Sequence, residues 1–124
     1  MTDVILAVDP GTIHSAWLVL DGRTILAAAI DLNVDVLRLA STGWVQTRDG
    51  SDVHFATVAI ERIEPRYGLN VGWETIRTCE FVGALTVAAH AGLTVALLRR
   101  SVILGHLGVA TRGRGDATRT SADS

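Results

Sequence analysis

The 124-residue sequence contains no lysine and a single cysteine, Cys79. Without lysine, catalysis by a lysine nucleophile, a Schiff base or the lysine of a phosphate-binding loop is excluded. One cysteine allows neither an internal disulfide nor a metal site built from several cysteines. No apolar run approaches the ~18 residues of a membrane span, and the first residues lack the basic and apolar stretches of a secretory signal. We therefore expect a soluble, cytoplasmic protein without a membrane partner.

The charges that are present divide the chain into two parts. Residues 1–98 contain six arginines and eleven acidic residues, a balance of −5, whereas residues 99–124 contain five arginines and two acidic residues, a balance of +3. The chain is 48% hydrophobic, and its length suits one domain of ~100–150 residues. We expect a folded domain over residues 1–108 and an Arg/Gly/Ser/Thr-rich tail over 109–124, whose basic charge suits contacts with phosphates.

The first thirty residues predict three antiparallel strands. Val4–Val8 is an apolar run that ends at Asp9, as expected for a strand buried on both faces. His14–Leu20 and Thr24–Ile30 are separated by Asp21-Gly22, a dipeptide typical of tight hairpins. These runs predict a meander of three neighbouring strands.

The remaining chain predicts strands that alternate with helices. The predicted elements are a short helix at Val34–Ala40, a loop at Gln46–Asp52, a strand at Val53–Ile60, a helix over about 71–91, a strand at Thr94–Leu98 and a short helix from Ser101 to Leu107. This order predicts an α/β fold, with a mixed five-stranded sheet in which the antiparallel meander continues into parallel strands and helices pack on the sheet.

The long helix predicted over 71–91 has apolar residues at intervals of three and four. These residues are Ile76, Cys79, Val82, Val87 and Ala88. Cys79, among apolar neighbours, is expected to be a small buried hydrophobe.

Two acidic residues stand at the ends of apolar strands. Asp9 ends the first strand, and Glu61 ends the fourth. If these strands are parallel neighbours, both carboxylates emerge at one edge, where a divalent cation such as Mg²⁺ would offset their repulsion. The alternative is that each is a solvated strand end or turn residue, since Asp before Pro-Gly is common in turns.

The segment ILAVDPGTIHSAWLVLDG, residues 5–22, resembles the first hairpin of RuvC-type Holliday junction resolvases, within the ribonuclease H-like superfamily. VAIERIEP, residues 58–65, matches the second signature of that family, an apolar strand that ends in Ala-Ile-Glu. Residues 67–108 look like the helix, strand and short helix that follow. Gly115-Asp116-Ala117 is similar to an element of the phage-type members, so that the resemblance spans residues 4–119.

The resemblance implies a ribonuclease H-like fold and a structure-selective endonuclease that cleaves branched DNA as a homodimer in recombination and repair. In such sites carboxylates hold two Mg²⁺ or Mn²⁺ ions ~4 Å apart. Asp9 would bridge the metals, Glu61 would bind one of them, and Asp116 is a further candidate ligand. The family completes its site with acidic residues on a final helix, before which this sequence ends. The alternative is therefore a catalytically incomplete module that binds DNA or oligomerises.

Basic and aromatic residues are candidates for DNA contacts. Arginines can bind phosphates, and aromatic side chains can stack on unpaired bases; the candidates are Arg99, Arg100, Arg112, Arg114, Tyr67 and Trp73. The alternatives are a solubilising tail and aromatic residues that cap a helix. A third class, an actin-like ATPase, also has an Asp-containing phosphate hairpin, but it needs two lobes and a second hairpin, for which 124 residues leave no room.

Overall fold

A computed structural model describes residues 4–63, 72–90 and 92–99. Its elements are β1 (Val4–Asp9), β2 (His14–Asp21), β3 (Thr24–Leu32), α1 (Asn33–Thr42), β4 (Trp44–Gln46), β5 (Asp52–His54), β6 (Thr57–Glu61), α2 (Trp73–His90) and β7 (Thr94–Leu98). The predicted short helix from Ser101 to Leu107 and the predicted domain boundary after residue 108 lie outside the described residues.

Five strands form one mixed sheet in the order β3-β2-β1-β6-β7. β1, β2 and β3 are antiparallel neighbours, whereas β6 is parallel to both β1 and β7. The turn between β2 and β3 contains Gly22 at a φ of 64°, the left-handed conformation that glycine adopts without steric cost. The predicted α/β class and the meander followed by parallel strands are confirmed.

The middle of the chain differs from the prediction. β4 and β5 form a separate two-stranded antiparallel sheet, so the segment predicted as a loop is largely the turn of a hairpin. The single strand predicted at Val53–Ile60 is wrong, because the chain leaves β5 at Phe55 and enters the main sheet only at Thr57. Phe55 is buried, and its N–H donates to the carbonyl of Gly43 at 3.0 Å. This bond continues the pairing of β4 with β5, whereas the N–H of the next residue, Ala56, donates to the carbonyl of Val4 in the main sheet at 3.2 Å. The chain therefore passes from the hairpin to the main sheet between Phe55 and Ala56.

The hydrophobic core lies between one face of the main sheet and the two helices. Its buried members are Leu6, Val8, Val19, Phe55, Val58 and Ile60 from the strands and their connections, and Val36, Ala40, Phe81, Leu85 and Ala89 from the helices. α1 ends at Gly43, whose φ of 81° and N–H bond to the Leu39 carbonyl close the last turn. Both described helices thus cover the same face of the sheet.

The predicted burial of Cys79 in α2 is wrong, because Cys79 is exposed. Of the apolar residues whose spacing predicts the helix, Val82 packs against the core, whereas Ile76 and Val87 are exposed; Leu85 is fully buried. The helix is apolar on most of its circumference, so spacing alone does not identify which stripe meets the sheet. Among the residues that the structure describes, neither helix combines the length and apolar character that crossing a membrane requires.

Candidate active site

Asp9 and Glu61 lie side by side at the carboxyl ends of two parallel strands. In the β1–β6 ladder Val8 is the partner of Ile60, and the two acidic residues follow one position later on their strands. Neighbouring strands are ~4.8 Å apart. The pairing therefore brings these two carboxylates to one edge of the sheet, as expected for parallel neighbours.

Both acidic residues point away from the helical core. Side chains alternate between the faces of a strand, and Val8 and Ile60, which precede them, belong to the core. Asp9 is exposed and Glu61 is half-buried. The two carboxylates thus share the face of the sheet opposite to α1 and α2.

The turn that follows Asp9 is held by a polar network from two other elements. The side-chain amide of Asn33, the first residue of α1, donates to the carbonyls of Gly11 and Thr12 at 3.0 and 3.2 Å. Its main-chain N–H donates to the carbonyl of Ile13 at 2.8 Å. Ser15 Oγ, on β2, donates to Asn33 Oδ1 at 2.6 Å and accepts the N–H of Gly11 at 3.0 Å. The turn is therefore fixed from α1 and from β2.

The same turn is tied to the first turns of α2. Thr78 Oγ1 donates to the Glu74 carbonyl at 2.9 Å, so its single proton is used and Thr12 Oγ1 is the donor in their 3.2 Å contact. Thr12 Oγ1 also lies 3.4 Å from the Glu74 carbonyl oxygen. Trp73, which precedes Glu74, is therefore placed at the end of the molecule that carries Asp9, with 66% of its surface exposed.

Arg99 also lies at this edge of the sheet. It follows Leu98, the partner of Glu61 in the β6–β7 ladder, and it is exposed. The structure thus brings Asp9, Glu61, Trp73 and Arg99 to one end of the fold. Five further predicted site residues lie outside the described residues: Tyr67, Arg100, Arg112, Arg114 and Asp116.

Sequence reasoning missed the residues that fix the turn. Ser15 carried a detectable signal, because it is a polar residue within a predicted apolar strand and must find a partner if buried. Asn33 carried none, since its contacts to the turn span 21 and 22 positions of the chain. Thr78 also carried no signal, because its contact with Thr12 spans 66 positions and the helix was predicted from its apolar residues.

The donors at this edge suit a hard divalent cation. Carboxylate oxygens are preferred ligands of Mg²⁺, which commonly takes one or two carboxylates and completes its shell with waters and substrate phosphates. Over the described ranges, no cluster of three or more His, Cys, Asp or Glu side chains could hold a metal. Among the described residues, Asp9 and Glu61 are therefore the candidate ligands for such an ion.

The order of strands, the parallel pairing of β1 with β6 and the position of the helices define a ribonuclease H-like α/β fold. Within that class the fold is RuvC-like. It is similar to Thermus thermophilus RuvC in complex with a Holliday junction substrate, with a TM-score of 0.56, 18% identity and coverage of 96% of this chain and 84% of that chain.

A second structure of Thermus thermophilus RuvC gives a TM-score of 0.54 at 18% identity, with coverage of 95% of this chain and 85% of the other. No protein-family model matches the sequence, and no curated protein matches it significantly. At 18% identity, the similarity to these two structures shows the fold alone.

Proposed function

We propose that the protein is a divalent-metal-dependent endonuclease that cleaves branched DNA, in the manner of a Holliday junction resolvase. The observation that carries the proposal is the alignment of Asp9 and Glu61 at the ends of adjacent parallel strands in a RuvC-like fold. The similar RuvC structure in complex with a Holliday junction supports the choice of substrate.

The proposed mechanism is hydrolysis of a phosphodiester at a two-metal site. Bound Mg²⁺ or Mn²⁺ would supply Lewis acidity for a water nucleophile and for the leaving oxygen. Asp9 and Glu61 would hold the ions, and Asp116 would be a further ligand. The exposure of Asp9 leaves room for a phosphate and water beside it.

Trp73 and Arg99, which lie at the same end of the fold as the carboxylates, are proposed DNA contacts. An exposed indole can stack on a base that the junction leaves unpaired, and an arginine can bind a phosphate with two hydrogen bonds. Arg62, the exposed residue directly after Glu61, lies at the same edge and is a further candidate for a phosphate contact. Arg100, Arg112, Arg114 and Tyr67 would extend this surface.

We further propose that the protein acts as a homodimer in the cytoplasm, in DNA recombination and repair. A four-way junction has two-fold symmetry, and a two-fold protein dimer would present one site to each of two equivalent strands. Sedimentation equilibrium of the full chain, alone and with a junction, tests this assembly. A single copy bound per junction at saturating protein would contradict it.

The function is tested by incubating the full chain with a labelled four-way junction and Mn²⁺ or Mg²⁺, with a linear duplex as the substrate control. Asp9→Asn and Glu61→Gln each remove one ligand charge and should lower cleavage by at least ~100-fold. Asp52→Asn, the same change at an exposed position on β5, is the matched control and should cleave normally. A wild-type chain that is inactive under all conditions, like Asp9→Asn, would contradict the proposal.

The second candidate is a nuclease-derived module that binds branched DNA or oligomerises without cutting. The observation that favours it is that the described residues supply two carboxylates and no third metal ligand. Junction binding that weakens steeply with salt, without metal-dependent cleavage, would support this function. Cleavage that depends on Asp9 would refute it.

A further inference from the structure

Asn33 makes four hydrogen bonds, three of them to the turn after Asp9. Its two amide protons go to the carbonyls of Gly11 and Thr12, its main-chain N–H goes to that of Ile13, and its Oδ1 accepts from Ser15. Three successive carbonyls of one turn are thus bound by one residue, which lies about twenty positions away in the chain. Such a turn cannot change its backbone conformation without losing several bonds together.

Ser15 closes the network from the other side. It is 1% exposed, and its hydroxyl links the Gly11 N–H to Asn33. Removing the hydroxyl would take away the partner of the half-buried Gly11 N–H and of the half-buried Asn33 Oδ1 together. Gly11 adds a steric constraint, since a Cβ at this position would lie 2.1 Å from the carbonyl oxygen of His14. The turn is therefore packed tightly against the start of β2.

The placement of the Asp9 carboxylate depends on this backbone. Within the described residues no hydrogen bond or ion pair to the Asp9 side chain is found, and the side chain is exposed. Its main chain is held upstream by the β1–β2 ladder, in which it is the partner of Ala16, and downstream by the turn. A ligand that lacks side-chain partners of its own is oriented by the rigidity of the chain that carries it.

We propose that Asn33 and Ser15 are positioning residues, which hold the turn so that the Asp9 carboxylate is pre-arranged to bind a divalent cation. This inference rests on the proposed function, because it assigns Asp9 to a metal. The amide is specifically required, since a carboxylate at position 33 would set an oxygen against the carbonyl oxygens of Gly11 and Thr12. Asn33→Asp therefore replaces two attractive contacts by two repulsive ones at almost constant volume.

The test measures Mn²⁺ binding to the full chain from the loss of the free-ion signal in electron paramagnetic resonance, far below the unfolding temperature. Asn33→Ala and Asn33→Asp should weaken Mn²⁺ binding by about 10–100-fold, the range for residues that orient metal ligands. Junction binding in EDTA should stay within about twofold of wild type, because the proposed DNA contacts are unchanged. Val36→Ala, a fully buried change on the same helix, is the matched control, which should lower the unfolding temperature but keep Mn²⁺ affinity.

The outcomes separate the inference from the proposed function. An Asn33→Ala chain that is destabilised like Val36→Ala but binds Mn²⁺ as wild type does would overturn the positioning role alone. A wild-type chain that binds no more Mn²⁺ than Asp9→Asn would overturn both the positioning role and the metal-dependent function. If the Asn33 variants do not fold, Ser15→Ala is measured instead, with the same loss expected and unchanged Mn²⁺ affinity again overturning the inference.

Discussion

The face of α2 that packs on the sheet can be tested by substitution. Leu85 and Val87 lie two positions apart, but Leu85 is fully buried and Val87 is 75% exposed. Val87 is one of the apolar residues whose spacing predicts the helix, but spacing alone does not distinguish its exposure from that of Leu85. Alanine substitutions at these two positions should therefore have very different effects on the free energy of unfolding.

The expected magnitudes follow from the burial of the two side chains. Leu→Ala at a fully buried site costs ~2–5 kcal/mol, because it removes apolar contacts and leaves a cavity. Val→Ala at an exposed helical site stays within ~0.5 kcal/mol, since alanine is the better helix former. For a chain of this length, ~1 kcal/mol corresponds to ~4 °C in unfolding temperature. Leu85→Ala should thus unfold ~10 °C or more below Val87→Ala.

Urea titrations followed by circular dichroism, at two protein concentrations, measure the free energy of unfolding of both variants and of the wild type. If a dimer covers Val87, the cost of Val87→Ala would rise with protein concentration, because association stabilises only the folded state. If Leu85→Ala is nearly neutral at the lower concentration, so that neither variant loses free energy of unfolding, the described orientation of α2 is refuted.

Two further predictions concern turns. Gly11→Ala should lower the unfolding temperature by several degrees, because its Cβ would lie 2.1 Å from the His14 carbonyl oxygen. Gly83→Ala, where a Cβ meets nothing within 4 Å, is the control and should be neutral or stabilising. Equal unfolding temperatures for the two variants would contradict the tight turn. In the β4–β5 hairpin, hydrogen bonds from the Thr47 side chain and then the Ser51 main chain hold the pKa of Asp49 below its ordinary value of 3.8. Their stabilisation should be present above that ordinary value and lost as the pH falls through the lowered pKa. Titration by nuclear magnetic resonance should show Thr47→Ala raising the Asp49 pKa towards its ordinary value, and an unchanged pKa would refute this cause.

The elements of the main sheet were predictable because their signals are local. The apolar run of β1 and the Asp21-Gly22 turn each depend on a few adjacent residues. The parallel pairing of β1 with β6 was a condition of the prediction for Asp9 and Glu61, and their proximity follows once that pairing is present.

The remaining features depend on contacts between distant residues. The passage from the β4–β5 hairpin to the main sheet depends on the bonds of Phe55 to Gly43 and of Ala56 to Val4, and the turn after Asp9 requires Asn33. The buried stripe of α2 depends on which apolar residues meet the sheet, and the helix offers more than one such stripe. None of these choices is encoded by spacing within a single segment.

The opposite orientation of neighbouring side chains in β6 has a consequence for tolerance to insertions and deletions. Ile60 belongs to the core and Glu61 to the other face of the sheet, so removing one residue from the middle of the strand would exchange their orientations. A carboxylate would enter the helical core, and Arg62 would take the place beside Asp9. We therefore expect this strand to tolerate no change in length, since one missing residue would damage the stability and the proposed chemistry together.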